Sequence, residues 1–254
     1  MMKTVIVKDI VIGEGVPKIC VPLIGRTLEQ LKEEALFLQT LHMDVIEWRA
    51  DYFELVDEME EVITAIREIH SILPSKPLIF TFRSLKEGGE KEIHLDYYVA
   101  LNKAIIDSGF VDIIDVELFN DEDVVKELVD FAHSHNVYVI LSNHEFKKTP
   151  SKEEIISRLI RAQELGADMP KIAVMPTCAA DVLTLLDATC TMKEQFTDRP
   201  IITMSMSGQG VISRLAGELF GSALTFGAAK KASAPGQIAV TELKNMINIL
   251  HQNL

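Results

Sequence analysis

A chain of 254 residues with 48% apolar and 25% charged side chains has the composition of an ordinary water-facing globule. It is long enough for one large domain or two small ones. Its formal charge of −13 argues against nucleic acid or an anionic membrane as partner, because both demand a basic face. Cys20, Cys178 and Cys190 are odd in number and lack CxxC spacing, which excludes a disulfide framework and fits a reducing compartment.

The segment Thr4–Ile12 reads as two short strands around Lys8-Asp9, a hairpin. The start Met1-Met-Lys-Thr-Val-Ile-Val-Lys8 lacks the apolar core of a signal peptide, and no apolar run approaches the ~18 residues of a membrane helix. A cytoplasmic protein is expected. Strand-like runs then recur at Lys18–Leu23, Asp44–Arg49, Leu78–Arg83, Val111–Leu118, Val137–Ser142, Lys171–Met175, Ile201–Ser205 and Ala223–Gly227. Segments of helical spacing separate them: Leu28, Leu31, Ala35, Leu36 and Leu38 form one apolar face, and Ile155, Ile156, Leu159, Ile160 and Leu165 another, stopped by Gly166. Leu243, Met246, Ile247 and Leu250 repeat the pattern at the end.

Eight apolar strands, each followed by a helix, imply a parallel sheet covered by helices. In this length they predict a (β/α)8 TIM barrel with an N-terminal β-hairpin; an open doubly wound sheet is the alternative. With no Gly- or Pro-rich linker, residues 1–254 read as a single domain.

Barrel enzymes carry their chemistry where strands end and loops begin. The second strand ends Glu47-Trp-Arg49-Ala-Asp51, where a period of two puts the three charges on one face, as a salt-bridged rim or as the wall of a site. The third ends at Arg83 and runs into Glu87-Gly-Gly-Glu90, whose glycines let an acidic side chain fold back over the mouth; spacing does not choose between Glu87 and Glu90. Asp115-Val-Glu117 fits a rim ion pair or a site equally. His144, at the end of the fifth strand, is placed to move protons, whereas the other six histidines sit in helices or loops. No histidine–carboxylate set has metal-ligand spacing, so no metal is expected.

Lys171 stands in the sixth apolar run, Met169-Pro-Lys-Ile-Ala-Val. A buried ammonium is costly, so such a lysine is paired, neutralised or used chemically. Beside Arg49, Arg83 or Arg214 it would be a neutral nucleophile able to form a Schiff base; paired to Glu117 or Glu47 it would be structural. The seventh strand leads into Gly208-Gln-Gly210 and Arg214, a place for phosphate or for a carboxylate held by the guanidinium fork. The eighth leads into Lys230-Lys-Ala-Ser233-Ala-Pro-Gly-Gln237, a loop suited to close over the mouth, with Ser233 and Gln237 as neutral hydrogen-bonding groups and Lys230 or Lys231 as a second choice for the imine lysine.

Together, Glu47-Trp-Arg49-Ala-Asp51, Phe80-Thr-Phe-Arg83-Ser-x-x-Glu87-Gly-Gly-Glu90, Ser142-Asn-His144, Pro170-Lys171-Ile-Ala, Ser213-Arg214-Leu and Lys231-Ala-Ser233-Ala-Pro-Gly-Gln237-Ile resemble, in order and along nearly the whole chain, the type I 3-dehydroquinate dehydratase family. The resemblance implies a cofactor-free lyase of the shikimate pathway, usually homodimeric, that converts 3-dehydroquinate to 3-dehydroshikimate and water. It implies an imine on Lys171, His144 as base and acid, and Glu87, rather than Glu90, as the group orienting His144. It further implies Arg214 on the substrate carboxylate, and Glu47, Arg49 and Arg83 on its hydroxyls or ordering the site. Met206 would be an apolar contact, and Ser233 and Gln237 would close the lid. One departure is Pro22, where some members carry a substrate-touching serine. A Schiff-base aldolase, marked by a phosphate site at Gly208–Gly210, and a non-catalytic binding barrel are the competing readings.

Overall fold

The computed structural model describes residues 3–229 and 233–254. The period-two alternation near the start makes β1 (Val5–Val7) and β2 (Ile10–Ile12), paired antiparallel with Val7 opposite Ile10 and Lys8 at a φ of 53° in the turn. Strands and helices then alternate: β3 (Lys18–Leu23), α1 (Leu28–Leu38), β4 (Val45–Arg49), α2 (Met59–Ile72), β5 (Leu78–Thr81), α3 (Leu95–Asp107), β6 (Ile113–Glu117) and α4 (Glu122–Ser134). The second half continues with β7 (Tyr138–Glu145), α5 (Lys152–Glu164), β8 (Met169–Val174), α6 (Ala179–Thr191), β9 (Ile202–Ser205), α7 (Val211–Leu215), α8 (Gly217–Phe220), β10 (Leu224–Phe226) and α9 (Val240–His251).

The eight strands from β3 to β10 are parallel, in the order β10-β3-β4-β5-β6-β7-β8-β9. The seam between β9 and β10 is drawn together by a bridge of Ile201 with Ser222, where Ala223 N donates to Ile201 O at 2.8 Å. Ser222 Oγ accepts from Thr203 N at 3.0 Å across the same seam, so the barrel is nearly closed. This is the expected (β/α)8 architecture with its N-terminal hairpin.

Local chemistry sets the element ends. Thr27 and Ser151 cap α1 and α5 by accepting from Gln30 N and Glu154 N. At the opposite pole, Asp44, Asp112 and Asp168 each sit just before a strand and accept a backbone N–H from the first or second residue of the neighbouring strand, at 2.8 Å from Ile19, Leu78 and Val139. Pairing those edge amides with carboxylates satisfies donors that lie beyond the ladder.

Two apolar layers follow. Outward-facing strand residues such as Val21, Ile46, Trp48, Phe80 and Leu141 pack under the helices. Inside, one residue from each strand (Cys20, Val45, Ile79, Ile113, Ile140, Met169, Ile202 and Leu224) builds a floor, and Val5, Val7 and Ile12 of the hairpin pack against it from below. The helices present narrower stripes than their sequence suggests: Leu36, Met246 and Leu250 are exposed. α1 and α9 reach the barrel through Leu31, Ala35 and Leu38 and through Val240, Leu243 and Ile247, leaving the flanking residues in water. Among the described residues no helix is long and apolar enough to cross a membrane.

Candidate active site

Two positions beyond the apolar floor, the strands turn polar. Side chains alternate across a strand, so Glu47, Thr81, Asp115, Ser142 and Lys171 follow Val45, Ile79, Ile113, Ile140 and Met169 on the inner face. One further step brings Arg49, Arg83, Glu117 and His144. Lys171 is only the third residue of β8, but its long side chain stands within this polar storey rather than under it.

Lys171 is 4% exposed. Its Nζ donates to Asp115 Oδ2 at 2.8 Å, lies 3.7 Å from Glu47 Oε1, and sits 4.7 Å from the centre of the Phe226 ring. The charged groups in contact with the amine are therefore carboxylates: the expected pairing with Glu47 is present, whereas the shorter contact is to Asp115, and the expected arginine neighbours and Glu117 do not touch the amine. Glu117 belongs instead to Arg83, whose Nη1 reaches it at 3.2 Å, while Nη2 reaches Asp115 Oδ1 at 2.7 Å. Arg83 also donates to Ser142 Oγ at 2.8 Å, and Ser142 Oγ donates to Asp115 Oδ1 at 2.6 Å. Burial alone would push the Asp115 carboxyl up, but Arg83, Lys171 and these hydrogen bonds hold it down at about 2. Burial likewise opposes the Arg83 charge, yet Asp115, Glu117 and Glu87 keep its pKa well above the ordinary value. Arg49 is committed to Asp51 by a two-pronged pair, both contacts at 2.8 Å.

His144 is fixed by Glu87. Glu87 Oε2 accepts the His144 backbone N–H at 3.0 Å and faces Nδ1 at 2.9 Å, while Oε1 accepts from Asn143 Nδ2 at 3.3 Å. Glu87 is the C-terminal residue of a short 3-10 turn closed by Gly88 at a φ of +83°. A Cβ on Gly88 would lie 2.3 Å from the Phe146 ring, and one on Gly89 would lie 1.9 Å from Arg83 O, so the two glycines bring Glu87 back over the mouth. Glu90 points away and pairs with Arg26 at the surface, at 2.7 Å. Burial, then Arg83, Lys171 and Arg49, push the His144 pKa well below the ordinary value, and the imidazole is neutral at pH 7. Burial also raises Glu87, to about 8, against the pull of Arg83. With the proton on Nδ1 and Glu87 accepting it, Nε2 presents a lone pair.

Arg214, on α7, is 1% exposed and differs from the other buried cations. Nη2 donates to Pro235 O at 3.1 Å, Nη1 lies 3.8 Å from Met204 Sδ, and Nε has no partner among the described residues. No described carboxylate pairs with it, and burial lowers its pKa to about 10. Gln237 Oε1 accepts from Ser233 N at 2.9 Å and Gln237 Nε2 donates to Ser233 Oγ at 3.0 Å, which ties these two residues together in the segment between β10 and α9.

These groups surround one cavity of 110 Å³. Glu47, Arg49, Arg83, Glu87 and His144 line one part of its wall, and Lys171, Met206, Arg214, Ser233 and Gln237 line another. A wider cleft of 1320 Å³ opens to solvent outside it and shares Glu87, His144 and Phe146 as the dividing wall. A family model of type I 3-dehydroquinase matches residues 19–254. The chain belongs to the type I 3-dehydroquinase family.

The similarity extends over the full length of the chain. It is 64% identical over 254 residues to the 3-dehydroquinate dehydratase of Bacillus licheniformis, covering 100% of both chains. A crystal structure of the type I 3-dehydroquinate dehydratase of Clostridium difficile, with covalent modified comenic acid, superposes with a TM-score of 0.98 at 58% identity and full coverage of both chains. The 3-dehydroquinate dehydratase of Geobacillus kaustophilus superposes at 0.96 with 37% identity, over 98% of this chain and 97% of that one.

The ten residues to which the family resemblance gives roles all line one cavity, whereas Asp51, Glu90, Asp115 and Glu117 do not line it. Gly208–Gly210 does not line it: Ser213 Oγ donates to Gly210 O at 2.7 Å and folds that turn against β9 instead. Pro22 is buried in β3 and does not line it either. Lys230 and Lys231, the second choice for an imine lysine, lie outside the described residues. Among the described residues no group of three histidine, cysteine, aspartate or glutamate side chains is arranged to hold a metal ion. The sequence left Asp115 undecided and passed over Ser142 as a participant, although both sit at inner-face positions in step with Lys171. It also missed Met204, Ala173, Phe146 and Phe226 as apolar wall. Strand alternation was the available signal for those on β7 to β10.

Proposed function

We propose that this chain removes water from 3-dehydroquinate, giving 3-dehydroshikimate, through an imine between Lys171 Nζ and the substrate ketone, with His144 carrying the protons. The hydro-lyase class follows from family membership; the individual steps are inferred from the cavity. The observation that carries them is that a lysine amine, an oriented neutral imidazole and an arginine with no carboxylate partner among the described residues line one cavity of 110 Å³.

A proton beside a ketone is hard to remove because the negative charge has nowhere to go. Once Nζ has replaced the ketone oxygen, the protonated imine accepts those electrons as an enamine. His144 Nε2 takes the proton from the adjacent carbon, with Nδ1 held by Glu87. The enamine then expels the neighbouring hydroxyl, which leaves as water with the proton that His144 returns. Hydrolysis of the conjugated imine restores the ketone and frees Lys171.

Binding follows from which polar groups are already satisfied. Arg214 lacks an anionic partner among the described residues and takes the substrate carboxylate as a charge-assisted pair. Arg83 and Arg49 are held by carboxylates of the protein, so they order the site more than they grip the ligand. Glu47 offers its remaining lone pairs to a hydroxyl, Met206 packs against the ring, and Ser233 with Gln237 closes the lid. The chain is expected to act as one domain, as a homodimer and in the cytoplasm; light scattering and a single calorimetric transition check the first two.

The deciding experiment is mass spectrometry of enzyme treated with 3-dehydroquinate and borohydride. A reduced adduct on the Lys171 peptide is expected; an adduct on Lys230 or Lys231 refutes the assignment. His144→Ala should still be trapped while turnover collapses.

A further inference from the structure

We infer that Asp115 is the counter-ion of the imine nitrogen, the group that keeps the proton on that nitrogen while the carbon chemistry proceeds. This rests on the proposal that Lys171 forms an imine, and it gives Asp115 a role distinct from that of Glu47.

The geometry divides the two oxygens of Asp115. Oδ1 is occupied by Arg83 Nη2 at 2.7 Å and Ser142 Oγ at 2.6 Å. Among the described residues Oδ2 receives only Lys171 Nζ, at 2.8 Å. The carboxylate is thus braced on one oxygen and aimed with the other at the reacting atom. Glu47 is farther, at 3.7 Å, and its Oε1 already accepts from Thr81 Oγ1 at 3.0 Å. Asp115 is 1% exposed, so water does not screen the pair.

The charge balance suits this role. An ammonium and a ketone become a protonated imine and water: one C–N bond forms, the C–O bond breaks, and two ammonium protons leave on the departing oxygen. One positive charge stands at the nitrogen before and after, so the carboxylate that pairs with the free lysine pairs equally with the imine. An imine without such a partner in a buried site sheds its proton and loses its pull on electrons. When His144 takes the carbon-bound proton, the charge passes from the nitrogen to the imidazole and comes back as the hydroxyl leaves. The brace from Arg83 keeps Asp115 from taking the proton itself, since a carboxylate held at about 2 is a poor base.

Other charged groups surround this pair. Glu47 faces Nζ from β4, Arg83 faces Asp115 from the end of β5, and Glu117 on β6 shares that arginine. His144 stands on β7, Arg49 at the end of β4, and the Cys20 thiol beneath, pushed up by burial. None of them donates to Asp115 Oδ2.

The test is Asp115→Asn, which keeps the shape and the contacts of Oδ1 but removes the charge, read beside Glu47→Gln. Borohydride should still trap 3-dehydroquinate on Lys171 in Asp115→Asn. The alkaline limb of kcat should move to lower pH by about 1–3 units, the range for loss of an adjacent opposite charge, and by less in Glu47→Gln. A trapped adduct with an unmoved limb overturns the inference. If the variant does not fold, wild-type enzyme carrying [15N]lysine is titrated with 3-dehydroshikimate bound. The imine nitrogen should stay protonated to pH 9, and its deprotonation below pH 8 overturns the inference. Absence of any Lys171 adduct in the wild type overturns the imine itself, and is told apart from failure of the counter-ion because it precedes any effect of pH.

Discussion

Replacing Arg214 with methionine should make the protein more stable and the enzyme much worse. The guanidinium is 1% exposed, finds one backbone oxygen, and has an Nε without a partner among the described residues. Its pKa falls from the ordinary 12.5 to about 10 by burial, which corresponds to about 3 kcal/mol of destabilisation of the charged form. The sign follows from the direction: a base whose folded pKa lies below its unfolded one destabilises the native state at all pH below the folded value, and the penalty disappears as pH rises from about 10 to 12.5. Methionine fills similar space without charge, at the loss of the bond to Pro235 O, about 1 kcal/mol. The net gain of about 2 kcal/mol raises the melting temperature by roughly 4–8 °C for a chain of this size. The same change removes the proposed partner of the substrate carboxylate, which costs about 2–5 kcal/mol of transition-state binding, or roughly 30- to 5000-fold in kcat/KM. Calorimetry at pH 7 and product absorbance with 3-dehydroquinate measure the two effects. A melting temperature below wild type, or kcat/KM within threefold of it, refutes the reasoning.

Glu87→Gln should leave the Lys171 adduct intact in borohydride trapping while lowering kcat by roughly 10²-fold or more, the range of a general-base contribution; unchanged kcat would mean that His144 needs no ionisable partner. Gly89→Ala forces a Cβ to within 1.9 Å of Arg83 O, which should cost about 3 kcal/mol. Urea titration should show that loss, and a midpoint equal to wild type would mean the loop moves freely. The His144 pKa is well below the usual value because of burial and then Arg83, Lys171 and Arg49, so the acid limb attributable to it in kcat/KM should lie below pH 6.5. A histidine limb at or above 6.5 contradicts this. Asp115 has a folded pKa of about 2, below its ordinary 3.8, so the stability it contributes is full above 3.8 and is lost as pH falls through about 2. Acid titration of Asp115→Asn should accordingly be flatter between pH 4 and 2 than that of wild type.

The barrel was legible because parallel strands buried on both faces carry near-continuous apolar runs, and those runs are separated by helical spacing. The places where reading stopped have physical reasons. β7 extends to Glu145, past the point where Ser142-Asn-His144 turns polar, because an inner-face polar residue looks like a loop when read in isolation. Asp115 and Lys171 lie 56 positions apart and meet across the barrel; alternation tells which face each occupies but not which side chain it touches. The choice between Glu87 and Glu90 depends on how Gly88 and Gly89 turn the backbone, and spacing does not encode that. The unpaired state of Arg214 is a property of what surrounds it, so its residue type and position alone could not reveal it. Family resemblance supplied the roles of Glu87 and Arg214 where periodicity could not.

The arrangement of charge around the cavity explains how an acidic protein can hold an anion. The formal charge is −13, and a carboxylate approaching from solvent meets a repulsive field. Inside, however, the protein's own carboxylates are confined to one side: Glu47 on β4, Asp51 just after it, Glu87 after β5, and Asp115 and Glu117 on β6. Three cations answer them there, with Arg49 on Asp51, Arg83 on Asp115 and Glu117, and Lys171 reaching across from β8. The opposite wall contributes Ala173, Met204, Met206, Phe226 and Arg214 to the cavity and no acidic group. Arg214 is therefore the cation on that wall whose charge is not already answered by a neighbouring carboxylate. An anionic ring entering the cavity lowers its energy in one orientation, carboxylate toward Arg214, which under the proposed mechanism turns its ketone toward Lys171 and its acidic carbon toward His144. The acidic groups that look unhelpful for binding an anion thus set its orientation, because they occupy the side it must not face.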